Sequence, residues 1–126
     1  MSTRYFLKAL ILVVLLPLTA LHAESADYAA SQAFADSLYY SNDFHSSILE
    51  YNRINFQNPD NPQFAENKFR IIQSHYYLED YHRVIQELDR DKLILASKPH
   101  AAYIYARSLS NMNLIEMSNQ FIMQKE

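Results

Sequence analysis

The chain has 126 residues, with 14 acidic residues against 11 Lys and Arg, and contains no Gly and no Cys. That length supports a single domain, and the missing Cys removes disulfides, thiolate metal sites and Cys nucleophiles. Without Gly, neither a P-loop nor a dinucleotide-binding Gly fingerprint can form, because both bring bare backbone against phosphate. The acidic balance also argues against a nucleic-acid partner.

Residues 1–23 read as a secretory signal peptide. Arg4 and Lys8 form a positive start, Ala9–Leu18 is an unbroken apolar run, and Thr19–Ala23 is a short exit. The run is shorter than the roughly 20 residues that span a bilayer. Cleavage is expected after Ala23, although Leu21 stands where a small residue is preferred. The expected product is secreted or periplasmic, with no membrane span after cleavage and no Cys for lipid attachment. The domain that remains, residues 24–126, keeps 9 basic against 14 acidic residues.

The spacing of Ala30, Phe34 and Leu38 predicts a first helix over 26–41. Asn42-Asp43 ends it and caps the next, since Asn tolerates the left-handed conformation and Asp accepts from free helix N–H groups. A second helix follows over 44–57, with Phe44, Ile48, Tyr51 and Ile54 inward. Asn58-Pro59-Asp60-Asn61-Pro62 is the strongest break, because Pro cannot continue a helix and Pro62 suits the first turn of a new one. A third helix is expected over 62–78, with Ala65, Lys68, Phe69, Ile72, His75 and Tyr76 on its packing face. Glu79-Asp80 turns into a fourth, from Tyr81 to about Ala96. Lys98-Pro99 breaks the chain again. A fifth helix over 99–112 carries Tyr103, Ala106 and Leu109, Asn113 turns, and a sixth runs over 115–125.

The segment Tyr76-Tyr77-Leu78-Glu79-Asp80-Tyr81 repeats an earlier one, Tyr39-Tyr40-Ser41-Asn42-Asp43-Phe44, 37 residues before it. A repeat of that period in paired helices predicts a helical solenoid, in which no single pair can bury its own apolar face. The chain resembles the tetratricopeptide repeat family on Ala35, Leu38, Tyr39, Asp43-Phe44, Ser47, Tyr51 and Pro59 in a first unit. In a second unit the matches are Ile72, Tyr76, Asp80-Tyr81, Val84 and Leu88; in a third they are Ala106, Leu109, Asn113, Ile115 and Ser118. The usual Gly of the turn within each repeat is replaced by Asn42, Glu79 and Asn113, and Ile72 fills a normally small slot. The resemblance implies an all-α, right-handed superhelical solenoid of about three antiparallel helix pairs. A looser similarity is to bacterial envelope proteins of this class that support outer-membrane or cell-wall assembly.

In this family the first helix of each pair lines a concave groove. That implies a protein- or peptide-binding face from Gln32, Asp36, Tyr39 and Tyr40 in unit one, and from Glu66, Phe69, Gln73, Tyr76 and Tyr77 in unit two. Unit three adds His100, Tyr103, Arg107 and Asn111. Tyr suits such a face, presenting a large rigid ring with a hydroxyl. The expected function is a non-enzymatic adaptor for a protein or peptide in the cell envelope, needing no cofactor and no metal. One alternative is a self-associating module, a homo-oligomer joined through residues 115–126, where Phe121, Ile122 and Met123 lack an expected cover. Another is an envelope enzyme or its accessory subunit, which would need Asp36 and Glu66 to act as a carboxylate pair. His75 and Glu79 stand at helical metal-ligand spacing but lack a third ligand.

Overall fold

The structure is a computed structural model that describes residues 26–123, with side chains as far as Glu116. The proposed signal segment lies outside the described residues. The described residues form six helices and no strand: α1 (26–40), α2 (Phe44–Gln57), α3 (Phe64–Tyr77), α4 (Tyr81–Arg90), α5 (Lys92–Ser97) and α6 (Pro99–Met123). None of them is long and apolar enough to cross a membrane.

The two repeated turns have the same construction. At the first, Asn42 N–H bonds to the Tyr39 carbonyl at 3.1 Å and Asp43 N–H to the Leu38 carbonyl at 2.9 Å. At the second, Glu79 N–H bonds to Tyr76 at 3.0 Å and Asp80 N–H to His75 at 2.9 Å. Each is a Schellman ending, whose left-handed residue is usually Gly. Here Asn42 (φ 64°) and Glu79 (φ 61°) hold that conformation. The next residue then caps the following helix, as Asp43 accepts from Ser46 N–H and Asp80 from Arg83 N–H. Sequence and backbone thus repeat together at α1–α2 and α3–α4.

The pattern fails in three later places. The fourth helix stops at Arg90, short of the expected Ala96. Asp91 accepts from Ile94 N–H and pairs with Lys68 at 2.6 Å, which holds it outside helical geometry and makes it the cap of α5. The third helix starts at Phe64 rather than Pro62, because Asn61 first closes a turn to Phe64. No turn forms at Asn113. With neither Gly nor Pro over 100–126, nothing forces a left-handed residue, and α6 runs on through helix-competent Met112, Leu114 and Glu116. The expected third helix pair is therefore one long helix preceded by the short α5.

The inward face of α6 is made by residues other than the apolar ones noted in the sequence. Ala101, Ile104 and Ser108 are buried, whereas Tyr103, Ala106 and Leu109 are exposed. Ala and Tyr surround this helix, so apolar spacing alone fits two registers.

Helix α3 lies at the centre, packed on α2, α4 and α6, and it divides the core. On one side Ala35, Tyr51 and Ile54 pack with Tyr28, Tyr39 and Ile71. On the other, Phe69, Ile72, Val84, Leu88, Ile94, Ala101 and Ile104 form the larger cluster. Between α1, α2 and α3 runs a buried amide network. Gln32 and Asn67 exchange two hydrogen bonds, at 2.9 and 3.0 Å. Asn67 also donates to Asn55 at 3.1 Å, and Asn61 donates to the same Asn55 oxygen. Buried polar groups need such partners, and this set ties the 58–63 loop to the three helices.

Candidate functional site

The candidate site lies where the first Schellman turn meets the end of α3. The turn brings Tyr39 and Tyr40, the last two residues of α1, beside Phe44 at the start of α2. Tyr77, the last residue of α3, arrives from the repeated turn. Tyr39 is central, with ring centroids 5.5 Å from Tyr40, 5.8 Å from Phe44 and 6.5 Å from Tyr77. Phe44 and Tyr77 stack at 4.8 Å. Together with Asn42 these rings line an open cleft of about 430 Å³. Tyr40 is 69% exposed and Tyr77 47% exposed.

Arg70 fixes the α1 side of the cluster. Its guanidinium lies 4.6 Å from the Tyr39 ring centroid and 5.1 Å from that of Tyr40. It donates to the Tyr40 hydroxyl at 3.0 Å and to Glu66 at 3.3 Å. Burial alone would ease its proton off, but those partners more than reverse this and raise its pKa. The Tyr39 hydroxyl donates to Gln73 at 3.1 Å. Burial, then the nearby Tyr77, push its pKa up to about 12 despite Arg70, so it stays protonated at neutral pH.

The thirteen expected groove residues divide into four groups. Tyr39, Tyr40, Gln73 and Tyr77 are brought together, with Tyr76 half-buried between Tyr77 and Tyr81. Two are corrected: Gln32 is buried in the amide network and Phe69 is 6% exposed in the main core, so neither presents a side chain to an open groove. Asp36 and Glu66 are held by neighbours. Asp36 accepts from the Tyr51 hydroxyl at 2.6 Å and from Gln32 at 3.2 Å. Glu66 accepts from Lys98 at 2.6 Å, and that bond, opposed by burial, keeps its pKa below the usual value. On α6, Tyr103 is exposed and stacks on His100 at 5.6 Å, Arg107 is exposed, and Asn111 is half-buried.

Asn42, Phe44 and Arg70 were missed as site residues. Arg70 stands four residues after Glu66 and three before Gln73, which helical spacing alone places on their side of α3. Phe44 was assigned wholly to the core, yet it is half-buried and turns one side to the cleft.

A second cleft, of about 330 Å³, lies over Ile48, Ile71 and Ile72. Its charged lining is internally paired: Lys68 with Asp91, and Arg83 with Glu87 at 3.8 Å. His75 approaches Asp80 at 3.3 Å, not Glu79. Burial lowers the His75 pKa and outweighs the pull of Asp80, so at pH 7 the contact is a neutral imidazole N–H donating to the Asp80 carboxylate rather than an ion pair. No group of three metal-ligating side chains occurs among the described residues. No protein-family model matches this chain, and no curated protein or solved structure shows significant similarity to it.

Proposed function

We propose that this protein is a non-enzymatic, tetratricopeptide-like adaptor that acts outside the cytoplasm, in support of cell-envelope assembly. It binds a segment of a partner protein on the aromatic face at the α1–α2 turn. One observation carries the reading: two largely exposed Tyr rings, Tyr40 and Tyr77, are fixed in place by Arg70 and Phe44. An exposed ring that is already ordered loses little side-chain entropy on binding, and Tyr and Arg dominate the energetics of protein interfaces. Catalysis by Asp36 and Glu66 fits the site poorly. A general acid needs a raised pKa, whereas Glu66 is held low by Lys98 and Asp36 is already bonded to Tyr51.

The test is affinity capture of the tagged protein from its native cells beside a Tyr40→Ala/Tyr77→Ala variant with unchanged helical circular dichroism. The proposal expects a specific partner retained by the native protein and lost by the variant. Equal retention by both would move the binding surface elsewhere.

A second reading has its own support. Leu109, Leu114 and Ile115 are exposed on α6, a surface through which two copies could associate. Sedimentation across a concentration series tests it: a monomer at all concentrations rules it out.

A further inference from the structure

We propose that the break between α4 and α5 is an acid-released switch: an ionised Asp91 holds it, and neutralising that carboxylate lets residues 81–97 close into one straight helix with Leu95 in the core in place of Ile94.

Nothing in the local sequence requires the break. Residues 81–97 contain neither Gly nor Pro, and the Leu, Arg, Lys and Ala among them favour helix. Helical bonds continue on both sides of it: Asp91 N–H bonds to the Glu87 carbonyl at 2.9 Å, and Leu95 N–H to the Asp91 carbonyl at 3.3 Å. The Asp91 side chain makes the interruption. At φ −116° and ψ 79° it is both the C-cap of α4 and the N-cap of α5, and its carboxylate accepts from Ile94 N–H at 3.2 Å. In a straight helix that N–H would go to the Arg90 carbonyl.

The same residues hold a second packing. Val84, Leu88, Asp91 and Leu95 follow one another at intervals of four, three and four, which is a single stripe of an α-helix. Val84 and Leu88 are fully buried. Straightening puts Leu95, now half-buried, on their stripe and turns Ile94, now 4% exposed, off it. Adjacent apolar residues thus supply the core in either form. Straightening also puts Asp91 on that stripe, between Leu88 and Leu95. An ionised carboxylate is costly in such surroundings, and a protonated one much less so. The charge on Asp91 therefore separates the two forms.

That charge is fixed from α3. Lys68 donates to Asp91 at 2.6 Å, and this bond, opposed by burial, holds the Asp91 pKa below the ordinary 3.8. The neighbouring carboxylates have other partners: Glu87 meets Arg83 and Arg90, and Asp89 meets Lys92 and, from α6, Tyr105. The far end of α5 is tied to α3 as well, where Lys98 donates to Glu66 at 2.6 Å. The hold of Lys68 on Asp91 is complete above the ordinary carboxylate value and is lost as pH falls through the lower folded one. The switch is closed at pH 7 and opens in acid.

The test follows the 13Cα chemical shift of residue 91 in the labelled protein, which is non-helical in the broken form and helical in the straight one. On acidification this shift is expected to become helical while the Ile104 methyl signals stay dispersed. Lys68→Met should move the transition to higher pH, because Asp91 then lacks the partner that keeps it ionised. Asp91→Leu should give the straight form at pH 7. Since the chain has no Cys, single Ile94→Cys and Leu95→Cys variants report which position is buried. The thiol at 95 should react faster than that at 94 in the native background, and the order should invert with Asp91→Leu. A residue-91 shift that stays non-helical in a folded Asp91→Leu variant overturns the proposal. So does an acid transition unmoved by Lys68→Met, or global unfolding in acid with residue 91 never turning helical. If Asp91→Leu does not fold, the Lys68→Met titration alone decides.

Discussion

The buried amide network offers a quantitative test of what holds the first three helices in register. Asn67 is fully buried and makes three hydrogen bonds at 2.9–3.1 Å, two of them with Gln32 across the α1–α3 contact. Asn67→Leu keeps the branched shape, with slightly bulkier methyl ends, and removes all three. A buried hydrogen bond contributes about 1 kcal/mol net, with more lost when a partner is orphaned. The orphaning is partial. Gln32 keeps its bond to Asp36 at 3.2 Å, and the Asn55 oxygen keeps the Asn61 donor at 3.1 Å. The expected loss is therefore about 2–3 kcal/mol. At roughly 4–8 °C per kcal/mol for a domain of this size, the melting temperature should fall by roughly 8–24 °C. Gln32→Met should be comparably destabilising. The double variant should fall short of the summed losses by at least about 1 kcal/mol, because removing both partners leaves fewer unpaired groups. Urea and thermal unfolding followed by circular dichroism give all four corners of the cycle. An Asn67→Leu loss under about 0.5 kcal/mol, or strict additivity, would refute the idea that this network sets the register.

The turns, the ion pairs, His75 and α6 each give a further test. Glu79 holds φ 61°, so Glu79→Gly should stabilise the protein by about 0.5–1 kcal/mol in urea unfolding by relieving the left-handed cost; a destabilisation would contradict the turn geometry. Glu66 and Asp91 have folded pKa values held below the ordinary 4.5 and 3.8, by Lys98 and Lys68 respectively. Their contribution is full above those ordinary values and is lost as pH falls through the lower folded values. A Lys68→Gln/Lys98→Gln variant should show a flatter fall of melting temperature below about pH 4.5. His75 is also depressed, from 6.5, so its contribution is present above that value and fades as pH falls through the folded one; His75→Phe should flatten the stability profile there. Finally, Asn113→Pro should reduce helical signal with little change in the main melting temperature, because residues 113–116 are exposed. A large drop would mean that this end of α6 packs on the body.

The parts of the fold legible in the sequence are those fixed locally. Asn42-Asp43 and Glu79-Asp80 announce a left-handed residue followed by a cap, and both turns form as expected, as do the breaks at Pro59 and Pro99. What failed depended on contacts distant in sequence. Asp91 ends α4 because Lys68 on α3 holds its carboxylate, and no local pattern shows that pair. Asn113 resembles the two earlier turn positions, but a lone Asn does not stop a helix. The candidate site was legible in the same uneven way. Helical spacing placed Tyr39, Tyr40, Gln73 and Tyr77 on related faces. It could not show that Gln32 would be drawn inward by Asn67, because a Gln at a helix surface and one in a buried network look alike until the partner helix is placed.

The central claim is that the Tyr40–Tyr77 face receives the partner. The most direct test is a photo-crosslinking amino acid placed singly at position 40, at position 77, and at exposed position 93 on α5, followed by irradiation of cells producing each variant. The account predicts the same protein adduct from positions 40 and 77 and none from 93. Adducts confined to position 93, or none at 40 and 77 while each variant keeps its helical signal, would contradict it.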